Sequence, residues 1–128
     1  MRKTIIATDK APRAIGAYNQ AVSVEGGKLL FVSGQLGMDP GTMELVSGGV
    51  SAEAVQAMKN LEAILVEAGG GFESIVKATI YLADIKDFTA VNEIYASCFA
   101  SDFPARAAFA VADLPKAGRV EIEAVAAL

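Results

Sequence analysis

The stretch from Ile75 to Leu82, "IVKATIYL", constrains the fold more than any other part of the chain. Val76, Ala78, Ile80 and Leu82 alternate with Lys77, Thr79 and Tyr81, and a period of two puts these sets on opposite faces of a strand. Such a strand belongs to a sheet with one face covered by helices and the other more polar. Helix-periodic segments flank it on both sides. Val55, Met58, Leu61, Leu65 and Ala68 follow three- and four-residue spacing after a Ser51 cap, with Glu53 near the positive end and the Gly69–Gly71 run as the stop. Asp87 is expected to cap a second helix that presents Phe88, Val91, Tyr95 and Cys98 on one face. Further strands are expected at Lys28 to Ser33, Arg106 to Val111 and Arg119 to Ala126, with weaker candidates near Lys3 to Ala7 and Ala21 to Val24. The order strands, helix, strand, helix, strands predicts an α+β fold, a two-layer α/β sandwich in which one mixed β-sheet is covered by two helices. No composition break or long linker interrupts it, so residues 1–128 are expected to form a single domain.

Two helices cover only one face of such a sheet. The chain is 53% hydrophobic, and the uncovered face retains apolar residues such as Tyr81 and Val125, so self-association over that face is expected. A functional site between subunits follows naturally. The single cysteine, Cys98, excludes an internal disulfide, and a chain without histidine lacks the usual zinc ligand sets, so no metal is expected. Cys98 at helix-face spacing reads as a packing residue. The apolar run Ile5 to Ala7 is too short for a signal peptide and no run reaches membrane-spanning length, which predicts a soluble, cytoplasmic protein. A net charge of −4 with scattered basic residues disfavours nucleic acid as a partner. Without histidine, acid–base chemistry must rest on carboxylates, Tyr, Lys, Cys or bound water.

One cation stands out against this background. "FPARAAFAV" is an apolar, strand-like run carrying Arg106, and an unpaired buried charge costs roughly 3–5 kcal/mol, so the guanidinium needs an anionic partner. The terminal strand "RVEIEAVAAL" points Val120, Ile122 and Ala124 one way and Glu121 and Glu123 the other. If the two strands are close, an arginine and a carboxylate can share the uncovered face, either as a structural ion pair or as part of a site. Tyr18, in "AIGAYNQ", is either a packing residue or part of a lid. Ser33 ends a strand with no histidine to activate it and reads as a hydrogen-bond donor. Asn92 falls off the apolar face of the second helix and by itself reads as a surface residue. "SGQLG" and "AGGG" fit neither a P-loop nor a dinucleotide fingerprint, and "FVSGQ" lacks the glycine before serine of a nucleophile elbow.

Taken together, "APRAIGAYNQAV", "LLFVSGQLGMDP", "AVNEIYASCF", "FPARAAFAVADLPKAG" and "VEIEAVA" resemble the RidA family, also called YjgF/UK114, over nearly the whole chain. The resemblance implies a chorismate-mutase-like fold, a homotrimer with sites between subunits, and no cofactor. It implies hydrolysis of reactive 2-imino acids, and of the enamines in equilibrium with them, to 2-keto acids and ammonia. It makes Arg106 the residue that grips the substrate carboxylate and Glu121 the one that holds or polarises the attacking water. Tyr18, Ser33, Gly34 and Asn92 then line the pocket, with Gly34 letting backbone approach the ligand. Two positions depart from the family pattern: Ala108 stands where a cysteine is common, and Ala17 where proline often precedes the tyrosine. A contrasting reading of the same scaffold is a module that binds a keto acid, or holds other proteins, without turnover. Ribonuclease activity has little support in a chain with neither a basic stripe nor a histidine pair.

Overall fold

Alternation and backbone pairing organise residues 1–128, described by a computed structural model, into six strands and two helices. These are β1 (Arg2–Ile6), β2 (Ala21–Glu25), β3 (Leu29–Leu36), α1 (Gly49–Glu67), β4 (Ile75–Leu82), α2 (Phe88–Ser97), β5 (Ala105–Ala110) and β6 (Val120–Ala127). The main sheet runs β3-β6-β4-β5. The last strand in sequence sits inside it, antiparallel to both β3 and β4, while β4 and β5 run parallel. A parallel pair needs a long crossover, and α2 supplies it. The weakest two strand candidates do not join this sheet. β1 and β2 pair with each other as a separate antiparallel ribbon, Ile6 opposite Ala21.

One contiguous core fills the space between helices and sheet. Ala54, Ala57, Met58, Leu61 and Leu65 of α1 meet Ala78, Ile80 and Leu82 of β4 and Val120, Ile122 and Ala124 of β6. Leu61 and Leu65 are completely buried, each stabilising the fold by roughly 1.5–3 kcal/mol relative to exposure. Val91 and Tyr95 are the buried pair of α2. Beneath its end, Phe99 packs against Phe72, Tyr95 and Phe103 with ring centroids 4.8–5.9 Å apart.

Both helix starts differ in detail from the sequence expectation. Helix α1 begins at Gly49, not after Ser51, and its N-cap is Gly48 with no side-chain cap bond. Gly48 and Gly49 both have positive φ, a conformation other residues adopt only with strain, so the chain turns into the helix three residues early. The inward stripe is rotated accordingly. Ala54 and Ala57 are buried, whereas Val55 is 41% exposed. The stop falls as expected: Gly69 has positive φ, and the Gly69 and Gly70 N–H groups donate to the carbonyls of Val66 and Leu65. Asp87 is the N-cap of α2 but its side chain makes no cap bond, because a 3₁₀ turn over Ile85–Asp87 leads directly into the helix. Asp84 caps that turn, accepting from the Lys86 N–H at 2.9 Å.

No helix lies over the other sheet face. Phe31 is 74% and Leu29 55% exposed, and Phe109 stacks edge-on against Tyr81 beside them. Tyr81 also donates a hydrogen bond to Glu123 on the neighbouring strand. No helix is long and apolar enough to cross a membrane.

Candidate active site

Register decides where the two key charges go. Arg106 pairs with Ala78, whose side chain is in the helix-covered core, and Glu121 pairs with Tyr81 on the open face. Positions 78 and 81 differ by an odd number, so the partners point to opposite sides of the sheet. Strand β4 also separates β5 from β6. The expectation that Arg106 and Glu121 share the uncovered face is therefore corrected: within one chain the guanidinium lies under α2 and the carboxylate lies on the far side.

Arg106 faces an open cleft of about 330 Å³ lined by Ile15, Gly16, Tyr18, Phe88, Asn92 and Ala108. The only ion pairs in the molecule are Arg2 with Glu25 and Lys86 with Asp84, both on the surface, so no carboxylate neutralises it. Its Nη1 donates to Asn92 Oδ1 at 2.6 Å. The guanidinium carbon lies over the rings of Tyr18, Phe88 and Tyr95, 5.1–5.6 Å from each centroid. Burial pulls the arginine pKa down, and the neighbouring Tyr95 and Tyr18 act in the opposite sense. A group with such a high starting value stays charged at neutral pH.

Tyr18 belongs to this cleft, placed by an irregular segment that the "YNQ" tripeptide ties down. Asn19 donates to the carbonyl of Phe103 at 2.6 Å from its side chain and to that of Pro104 at 3.1 Å from its backbone. This staples the segment to the chain entering β5. Gln20 accepts from the Thr8 N–H at 2.6 Å and donates to the carbonyls of Thr8, Ala11 and Pro12 at 2.6–3.3 Å. Neither residue carries a recognisable chemical motif, so sequence reasoning passed over both. Asn92 is not a plain surface residue. Phe88, Asn92 and Tyr95 are spaced four and three apart, which aligns them on the α2 stripe that crosses β5. That spacing was present in the sequence, but the apolar stripe Phe88, Val91, Tyr95 and Cys98 masked it.

The remaining residues assemble elsewhere. Between Val32 and Gln35 the β3–β6 register slips, so Ser33 and Gly34 form a bulge beside Glu123. A methyl group on Gly34 would overlap the Glu121 carboxylate, so glycine is what lets this acid lie against the β3 backbone. Glu123 is engaged by Tyr81. Glu121 has no cation partner, which separates the free acid from the structural one. Tyr18, Asn92 and Arg106 thus form one half-site on the helix side, and Ser33, Gly34 and Glu121 form another on the open side. Cys98 ends α2 half-buried, its thiol pKa pushed up by burial, in keeping with a packing role.

Fold and clefts together define a class: a small α+β protein with an unneutralised arginine facing a solvent-open cleft and a free carboxylate on the bare face of the same sheet. The model of the family described as "Endoribonuclease L-PSP" matches residues 8–128. A human protein named 2-iminobutanoate/2-iminopropanoate deaminase is 57% identical over 124 residues, covering 97% of this chain and 89% of the relative. Among solved structures, RidA from the Antarctic bacterium Psychrobacter sp. is 46% identical with a TM-score of 0.76, covering 98% of this chain and 99% of that one. A Rid-family protein from Yersinia pestis, YyfB, is 25% identical with a TM-score of 0.89 over the whole of both chains. The chain belongs to this family, the RidA family that its motifs resemble.

Proposed function

We infer that the protein is a hydrolytic deaminase of reactive 2-imino acids such as 2-iminobutanoate and 2-iminopropanoate, releasing 2-keto acids and ammonia. The observation that carries this reading is the Arg106 guanidinium, half-buried, facing a cleft and without a counter-ion in its own chain. A planar guanidinium forms two parallel charge-assisted bonds to a carboxylate and so fixes the imine carbon of a bound substrate. The protonated imine is already electrophilic. Water adds to the carbon while Glu121 takes its proton and returns it to nitrogen; the carbinolamine then expels ammonia as the C–N bond breaks, the C=O bond forms and the hydroxyl proton passes to the freed Glu121 carboxylate. This sequence consumes one water, forms no covalent enzyme intermediate and needs no external oxidant.

The reading includes a homotrimer, with residues 1–128 as one domain and the sites between subunits. Two features support it. Arg106 and Glu121 lie on opposite faces of one sheet, so a neighbouring copy is needed to bring a guanidinium to a carboxylate. The exposed Phe31, Leu29 and Phe109 give the open face the apolar character of a contact surface. A free, half-buried cysteine suits a reducing, cytoplasmic setting.

The test is to generate the imine with an amino-acid oxidase and follow keto-acid release. Wild type is expected to accelerate release over buffer, with Arg106→Ala lowering kcat/KM about a hundredfold through loss of a charge-assisted pair. No acceleration, or full rate in Arg106→Ala, overturns the reading. A thermal shift with 2-oxobutanoate but no turnover would instead identify a binding module.

A further inference from the structure

We propose that Tyr95 is a positioning residue for Arg106, its ring holding the guanidinium as an uncharged counterpart so that the full positive charge faces the cleft. The proposal rests on the deaminase reading for its purpose and on geometry for its content. Tyr95 is fully buried and takes no part in lining the cleft, so it cannot touch a ligand there. Its ring is nevertheless the nearest of the three around Arg106, at 5.1 Å from centroid to guanidinium carbon. Tyr18 and Phe88 stand at 5.6 Å on the cleft side.

The hydroxyl does not explain the residue. Tyr95 Oη is buried with no hydrogen-bond partner, an arrangement that costs stability and that phenylalanine would avoid. What remains is the π-face. A carboxylate beneath the arginine would compensate its lost hydration equally well, but would cancel the charge a substrate needs. An aromatic face attracts the cation through its quadrupole and leaves the outward N–H groups unspent. Asn92, three residues earlier on the same helix, fixes the guanidinium plane through a neutral amide oxygen at 2.6 Å. Helix α2 therefore presents a charge-free cradle to the half-buried Arg106.

Two independent readouts test it. Tyr95→Leu removes the ring; KM for the imine is expected to rise about tenfold with kcat within about threefold, the scale of one desolvated cation–π contact. Tyr95→Phe keeps the ring and is expected to rescue KM to within about twofold of wild type. Separately, the Arg106 Nε–H resonance in a 15N-labelled protein should be sharp in wild type and Tyr95→Phe and broadened in Tyr95→Leu. This second readout needs no turnover, so an inactive protein would sink the deaminase reading while still deciding the cradle. If Tyr95→Leu fails to fold, Tyr95→Met, which fills more of the buried volume without an aromatic face, replaces it with the same outcomes expected. An unchanged KM and resonance in the ring-deleted variant overturn the proposal, and so does Tyr95→Phe behaving like Tyr95→Leu.

Discussion

At the scale of single residues, Arg106 and Gly34 show how one side chain, or its absence, shapes the two halves of the proposed site. Lysine at position 106 would keep the charge but lose the planar fork, and Arg106→Lys is expected to lower kcat/KM about tenfold in the imine assay. Gly34→Ala pushes a methyl into the space of the Glu121 carboxylate. If Glu121 is the base proposed above, the expected result is a kcat at least about tenfold lower with a far-ultraviolet circular dichroism spectrum like wild type, since displacing it costs rate before it costs fold. Tyr95 gives a pH signature. Burial raises its phenol pKa well above the ordinary value, with Arg106 acting in the opposite sense. The folded state then holds its proton more tightly than the unfolded chain, so this contribution is complete below about pH 10 and is lost as pH rises beyond it. Urea unfolding between pH 9 and 11 should show wild type losing stability more steeply than Tyr95→Phe, by up to about 1.4 kcal/mol per pH unit.

Secondary-structure elements carry a different kind of information. The start of α1 is set by the backbone of Gly48 and Gly49, not by a capping hydroxyl. Ser51→Ala is therefore expected to change unfolding free energy by less than about 0.5 kcal/mol, where loss of a true cap would cost about 1 kcal/mol. Gly49→Ala meets no steric obstacle yet must hold a positive φ, and should cost about 1 kcal/mol in the same urea titration. The β3 bulge is the other decisive local feature, because the extra residue at Ser33–Gly34 opens the floor against which Glu121 rests. Helix α2 does two jobs with two stripes: Val91 and Tyr95 anchor it to the core, and Phe88, Asn92 and Tyr95 face Arg106.

For the whole molecule, the bare sheet face is the feature that most needs a partner. Phe31 is at its most exposed point, and Phe31→Asp places a charge where an apolar contact is proposed. Light scattering is expected to show the proposed trimer reduced to monomers, with imine turnover lost because no neighbouring copy would then bring a carboxylate to the Arg106 cleft. The Arg106 cleft is formed within one chain, so the variant should still give a keto-acid thermal shift. A variant that stays trimeric and active would remove the open face from the interface.

The sequence alone determined what short-range chemistry governs. Alternation in "IVKATIYL" located β4 to the residue, since side-chain direction in a strand is fixed within a few bonds. The glycines after α1 marked its end for a comparably local reason. Arg106 was legible as the odd cation in an apolar strand, and the family motifs named Tyr18, Ser33, Gly34, Asn92 and Glu121 beside it. Only the tertiary structure decided which of these meet. Pairing register between segments far apart in the chain put Arg106 and Glu121 on opposite faces, gave the Tyr81 hydrogen bond to Glu123 and not to Glu121, and turned Asn92 and Tyr95 toward the guanidinium. A one-residue change of register reverses the face of every side chain on a strand, and that register is settled by the packing of the whole core.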